Sequence, residues 1–248
     1  MKIDYKNVKE FPGWDLAPEF LRNIISQYDV KNILEIGSGA NPTLTLDYIK
    51  SKKLMYTTND IDSGELKKAD PFLKTLCFDF CNPEIPEDSK NKYDLIFSRM
   101  VNEHVRDGRQ YYKNIYEALV DDGITVHCFS TLYSLPFVVN KVTPEWLSSM
   151  LLRMFAPRDE YSHGKFKAYY SWSRGPANKM INRFQDIGFE VVEYVGFFGH
   201  DYYKKRLPIL DYLEQIKTNY LLTRFKSPYL TSYAYVILKK ARVDSVKV

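Results

Sequence analysis

The sequence predicts an α/β fold built on a parallel sheet with helices on both faces. Three observations carry that expectation. Short apolar runs of strand character alternate with segments of helical periodicity along most of the chain. The first glycine turn, in ILEIGSGANP at residues 33–42, follows a buried-strand pattern and precedes a helical one. Carboxylates then stand at the ends of the next two strand-like runs, Asp60 and Asp79. In open α/β sheets ligands bind in the crevice at the strand carboxyl ends, so turns and acids gathered there bear on function.

Apolar spacing in PEFLRNIISQY (18–28) predicts a helix, and KNILEIG the first strand. LTLDYIK (44–50) reads as a helix, KLMYTTND (53–60) as the second strand and KTLCFDF (74–80) as a short third. YDLIFSR (93–99) is the fourth, and the helix DGRQYYKNIYEALV leads into DDGITVHCFS, the fifth. Right-handed crossovers follow from this order. Alternation stops over 131–175, where aromatics, prolines and charges predict helices and a loop. It resumes with ANKMINRFQDIG, a helix closed by Gly188, and the strand FEVVEYVGFF. After a polar and aromatic stretch at 199–226, YLTSYAYVILKK (229–240) completes the sheet. The expected organisation is one domain over 1–248, with a core at about 20–130 and 176–240. Two lid-like insertions, 131–175 and 199–226, are expected to roof a single crevice on the acceptor side.

Composition is that of a globular chain, with 45% hydrophobic and 27% charged residues. Apolar runs are short; LPFVV, near Val138, falls far below the roughly 18 residues of a membrane span. The polar opening MKIDYKNVKEFPGWD lacks the pattern of a secretory signal. The reading is a soluble, cytoplasmic protein without a membrane span. A net charge of +4, scattered over clusters that read as solvated helix faces, does not by itself imply nucleic acid. Cys77 and Cys81 have C-x3-C spacing, but no second ligand pair follows. With Cys128 they read as reduced structural thiols, and no metal site is expected.

Gly37 and Gly39 stand where small residues let the backbone approach a ligand. The third glycine of a dinucleotide fingerprint is missing, with Asn41-Pro42 near its place, which weakens the case for a nicotinamide cofactor. Taken alone, the pair also fits a tight turn that binds nothing. Asp60 lies about 20 residues beyond Gly39, the separation of an acid that accepts from ribose hydroxyls. Asp62, two residues on, competes for that role. At Asp79-Phe80 a carboxylate can accept from an adenine amino group while its neighbour packs on the ring. One acid at a strand end is often only a cap; several at consecutive ends point to a nucleoside.

On these residues the sequence resembles the class I S-adenosylmethionine-dependent methyltransferases. ILEIGSG, the acid of TTND and the FDF step look like the first three motifs of that family. YDLIFSRMVNEHV resembles its fourth strand with a Glu-His-Val turn, and ALVDDGITV its entry into strand five. The likeness covers roughly residues 20–130 in detail and 176–240 in outline. It implies a Rossmann-like fold with a seven-stranded, mostly parallel sheet, and S-adenosyl-L-methionine as cofactor. It further implies that Glu35 orients the loop and the methionine end of the cofactor, Asp60 the ribose and Asp79 the adenine. Gly37, Ser38, Gly39, Ile61, Phe80 and Ser98 would complete that site. Asn41-Pro42 departs from the family's third small residue.

Methyl transfer needs an acceptor held in line and, for a hydroxyl, a proton removed. His104, just after the fourth strand, is the candidate base, since imidazole has a reference pKa near ~6.5. Glu103 and Asp107 can orient it or share the work, and the same turn also fits a purely pocket-shaping role. Candidate acceptor contacts are Tyr169, Tyr170, Trp172 and Arg174 in FKAYYSWSRGP, and His200, Asp201, Tyr202 and Tyr203 in FFGHDYYKKR. Aromatic faces bind sugar rings or bases, and an arginine holds phosphate or carboxylate in bidentate fashion. Each tyrosine singly also suits a core or dimer contact.

FPGWDLAPE, YYSWSRGP and FFGHDYY further resemble a bacterial methyltransferase subgroup associated with capsule and surface-polysaccharide biosynthesis. That likeness implies O-methylation of a sugar, nucleotide-sugar or phosphorylated capsule precursor. A phosphate or phosphoramidate oxygen would ask less of His104. A nucleic-acid substrate is disfavoured, because strand four ends in FSRM rather than the Asn/Asp-Pro-Pro-aromatic run used on base amino groups. A metal-dependent catechol-type enzyme needs an acid–asparagine set that Asp107 alone does not supply. A nicotinamide enzyme and a non-catalytic cofactor-binding partner subunit stay open, as does a homodimer.

Overall fold

A computed structural model describes residues 1–132, 167–200 and 208–241. Its strands are β1 (Lys2–Asn7), β2 (Asn32–Ile36), β3 (Met55–Asp60), β4 (Lys74–Cys77), β5 (Tyr93–Arg99), β6 (Leu119–Ser130), β7 (Phe189–Phe198) and β8 (Tyr233–Lys240). Among the described residues the helices are α1 (Ala17–Gln27), α2 (Leu46–Ser51), α3 (Ser63–Leu66), α4 (Gly108–Ala118), α5 (Asn178–Gln185) and α6 (Pro208–Thr223). All eight strands form one sheet in the order β1-β7-β8-β6-β5-β2-β3-β4. Among the described residues only β8 runs antiparallel to its neighbours. The carboxyl ends of β2, β3, β4 and β5 therefore open along one edge.

The expected class I methyltransferase fold is present, with one correction: the sheet has eight strands, not seven. The addition is β1, which pairs in parallel with β7 at the sheet's margin. Its sequence, KIDYKN, is too polar to announce a core strand. An edge strand needs only one bonded neighbour and gains from charge on its exposed side. Lys2 pairs with Glu193 at 2.9 Å, and Tyr5 stacks on Phe198. The third sequence strand also ends early. Asp79 and Phe80 lie beyond β4, because Asp79 Oδ1 accepts from Cys81 N at 2.8 Å and starts a turn.

Successive residues feed opposite faces of the sheet, as the period of 2 requires. Ile33, Leu95 and Phe97 join one buried cluster with Leu21 and Ile25 of α1. Leu34 and Ile96 join the other, with Ile115 of α4 and Phe184 of α5. Of the expected insertions, residues 133–166 and 201–207 lie outside the described residues. No helix among the described residues is long and apolar enough to cross a membrane.

Candidate functional site

A cavity of about 460 Å³ opens at the carboxyl ends of β2, β3, β4 and β5. Gly37, at its floor, has φ +74°, and a Cβ there would stand 2.5 Å from Val101 Cγ2. Glycine is required on both counts. Two of the loop's amides are spent on the neighbouring strand. Gly37 N and Ser38 N both donate to Asn59 O, at 2.9 and 3.1 Å. The Asn59 side chain in turn donates to Leu76 O at 2.8 Å and Phe78 O at 2.9 Å. One buried residue of β3 thus ties the turns after β2 and β4 together.

Glu35 lies beneath this loop and does not line the cavity. Its Oε2 accepts from Thr43 N at 2.9 Å and from the Tyr56 hydroxyl at 2.5 Å, and its Oε1 accepts from the Thr43 hydroxyl. Burial raises its pKa, while these donors and the nearby Arg99 oppose the shift. Glu35 thus ties Thr43, beyond the glycine turn, to Tyr56 of β3.

The two candidate ribose acids separate clearly. Asp60 lines the cavity, and its Oδ1 accepts from Asp62 N at 2.9 Å. A Cβ on Gly39 would lie 3.4 Å from Asp60 Oδ2, so the second glycine keeps that oxygen accessible. Asp62 caps α3 by accepting from Gly64 N at 2.7 Å. Ile61, Asp79 and Phe80 also line the cavity. Phe80 meets Phe78 edge-on at 5.2 Å and Tyr111 at 6.1 Å, forming an aromatic wall.

His104 closes the short turn Asn102–His104 after β5 and faces the cavity. Its Nδ1 lies 3.2 Å from Lys167 O. That carbonyl can only accept, so the neutral ring carries its proton on Nδ1 and its lone pair on Nε2. Burial lowers the ring's pKa from 6.5, which keeps it neutral at pH 7. The returning segment is fastened to the same turn: Tyr169 N and Tyr170 N donate to Glu103 O at 2.8 and 3.0 Å. The Glu103 carboxyl points elsewhere, accepting from the Ser130 hydroxyl at 3.0 Å. Its Oε2 is buried with no hydrogen-bond partner, and burial pushes its pKa up to about 7. Asp107 caps α4, accepting from Arg109 N and Gln110 N.

Several expected contacts lie away from the cavity. Ser98 is buried, bonded to Asn102 at 2.9 Å and to His127 Nδ1 at 2.7 Å. Trp172 stacks on Tyr112 at 5.7 Å, where Gly108 leaves room for its ring. Tyr170 is buried, and Arg174 donates to its carbonyl and to Ser173 O. His200 lines a second cavity of about 180 Å³, 3.7 Å from Glu214. Asp201, Tyr202 and Tyr203 lie outside the described residues. Of the acceptor candidates that are described, Tyr169 lines the main cavity. Sequence reading missed Phe78, Met100, Val101, Arg106, Tyr111 and Lys167, which also line it. Phe78, beside Phe80 in the FDF step, was the one with a visible signal.

Residues 14–194 match a protein family described as a methyltransferase domain. The chain belongs to that family. No curated protein sequence matches it. Among solved structures, a SAM-dependent methyltransferase from Archaeoglobus fulgidus superposes with TM-score 0.52 at 14% identity, covering 91% of this chain and 94% of that one. Phosphoethanolamine N-methyltransferase 2 of Haemonchus contortus, in complex with S-adenosyl-L-methionine, gives TM-score 0.53 at 15% identity. That match covers 90% of this chain and 53% of the nematode enzyme. The [4+2]-cyclase SpnF gives 0.52 at 12%, covering 91% and 81%. These likenesses establish the fold and leave the reaction open, since one neighbour is a cyclase.

This methyltransferase uses S-adenosyl-L-methionine, and its cavity fits that group. A volume of about 460 Å³ lies within the range of small-molecule sites. Acids at the ends of β3 and β4 match polar edges of a nucleoside, and the aromatic wall matches its base. Asp60 and Asp79 would hold the ribose and adenine sides, with Phe78 and Phe80 packing on the ring.

Proposed function

We propose that this methyltransferase transfers a methyl group to an oxygen of a small polar acceptor, with His104 as the general base. The observation that carries the reading is the His104 ring at the cavity, its Nδ1 committed to Lys167 O. S-Adenosyl-L-methionine, when bound, supplies an electrophilic methyl on a sulfonium. His104 Nε2 takes the hydroxyl proton as the acceptor oxygen is alkylated, and its neutral state at pH 7 suits that work. Tyr169 and Lys167, on the segment fastened to Glu103 O, line the cavity on the acceptor side of this reading. Asp60 anchors the ribose and Asp79 the adenine.

The acceptor in this reading is a sugar, nucleotide-sugar or phosphorylated capsule precursor met in the cytoplasm. The chain acts as one domain whose inserted segments form the acceptor side. The likeness of FPGWDLAPE and YYSWSRGP to the capsule-associated subgroup supports that choice. A second reading, with a phosphate or phosphoramidate oxygen as nucleophile, is favoured by Arg106 and Lys167 on the cavity lining. There His104 positions the acceptor and removes no proton. The deciding experiment follows labelled methyl from the cofactor into nucleotide-sugars, extracted polysaccharide and RNA. Label in a sugar or polysaccharide pool supports the proposal. Label in RNA alone overturns the acceptor, and none at all, with tight cofactor binding, points to a non-catalytic partner subunit.

A further inference from the structure

Helix α6 buries Thr218 and Leu221 and leaves several large apolar side chains outside. Asp211, Glu214, Gln215 and Thr218 turn toward the body of the protein, where they line the small cavity with Asn7 and His200. Ile209, Leu213, Ile216 and Tyr220, spaced i, i+4, i+7 and i+11, form one stripe on the opposite side. That stripe faces outward: Ile209 is 77% exposed, Leu213 54%, Ile216 48% and Tyr220 58%. Tyr212 flanks it, and Phe225, Tyr229 and Leu230, which follow the helix in sequence, are exposed as well. Monomeric proteins rarely leave a contiguous apolar patch of more than a few hundred Å² in water.

We propose that this face is the docking surface for a second copy of the chain, giving a two-fold dimer through α6 and the turn that follows it. Area supports that occupant. Half-exposed Tyr212, Tyr220, Phe225 and Tyr229 present on the order of 400 Å² of ring surface between them. With the aliphatic side chains among them, the patch approaches the ~800 Å² per partner of a standard interface. Composition supports it too. The stripe carries aromatics and aliphatics and no carboxylate, while Lys217 and Arg224 lie at its rim, the pattern of an interface core. Glu214, the nearest acid, is held inward by Lys217 at 2.6 Å and lies 3.7 Å from His200. Ile216 sits near the middle of α6, so a two-fold axis perpendicular to the helix there would set it antiparallel on its mate.

The test uses the full chain and does not depend on the acceptor. Sedimentation at micromolar concentration should give a dimer for the wild type and a monomer for Ile216→Glu and Tyr220→Glu. Both variants should bind S-adenosylhomocysteine normally, because these side chains lie away from the main cavity, and should melt near the temperature of wild type diluted below its dissociation range. Should a variant precipitate, hydrogen exchange of the wild type decides: dilution through the dissociation range should speed exchange in α6 while β5 stays constant. A wild type that remains monomeric overturns the proposal, including one that pellets with anionic vesicles. So does a dimer that survives both substitutions, or α6 exchange that ignores dilution.

Discussion

Glu35 and Thr43 stand on either side of the glycine loop, and the Glu35 carboxylate accepts from the Thr43 backbone N–H at 2.9 Å. The Thr43 and Tyr56 hydroxyls donate to the same carboxylate. Glu35→Ala leaves buried donors unpaired, at about 1–3 kcal/mol each. A chain of this size loses about 2–4 °C per kcal/mol, so three such donors should lower the melting temperature by at least about 6 °C. Cofactor affinity should fall as well, because the loop loses its anchor. Calorimetric melting and S-adenosylhomocysteine titration check both; an unaltered affinity would show that the loop holds its shape without Glu35.

Asp60 lines the cavity, whereas Asp62 caps α3, and the proposed ribose contact falls to Asp60. Asp60→Asn keeps the shape and removes the charge. A hydrogen bond to a charged group contributes about 1.5–3 kcal/mol, so cofactor binding should weaken roughly tenfold to a hundredfold. Asp62→Ala removes the α3 cap and should cost about 1 kcal/mol of stability with affinity unchanged. The reverse pattern in a titration of both variants would move the ribose contact to Asp62.

Most of the sheet was legible because apolar periodicity reports burial, and burial is what the core strands share. Ile33 and Leu34 announce both faces at once. β1 was not legible, since an edge strand leaves little apolar signal. The cavity acids Asp60 and Asp79 could be read because they follow the strand ends that open onto it. Trp172, Tyr170 and Arg174 looked like ligand contacts, yet whether an aromatic meets a ligand or a neighbour depends on tertiary packing. Trp172 meets Tyr112 only because α4 carries Gly108 at the crossing. Asn59 was silent for the opposite reason: a mid-strand asparagine advertises nothing until both its partners are in place.

Glu103 makes stability depend on pH. Burial raises its folded pKa to about 7, above an unfolded carboxyl near 4.5. The native state then binds the proton more tightly, so its stabilising contribution is full below about pH 4.5 and lost as pH rises to about 7. The shift corresponds to roughly 3 kcal/mol. Glu103→Gln should flatten the change in melting temperature between pH 5 and pH 8, at roughly those bounds. Parallel pH profiles for wild type and variant would place the proton elsewhere.

His104 makes activity depend on pH in the opposite sense. Burial lowers its pKa below 6.5, so the protonated, inactive ring accumulates only on the acid side. As a base it should give kcat/KM that rises with pH through that lowered pKa and levels off on its alkaline side. His104→Gln should reduce kcat by about a hundredfold to ten-thousandfold, remove the acid limb and leave S-adenosylhomocysteine affinity unchanged. If the nucleophile is instead a phosphate oxygen, already ionised, the loss should be smaller and should appear mainly in KM for the acceptor. Turnover by the variant near the wild-type rate, with the acid limb intact, would assign that limb to another group and end the case for His104 as base.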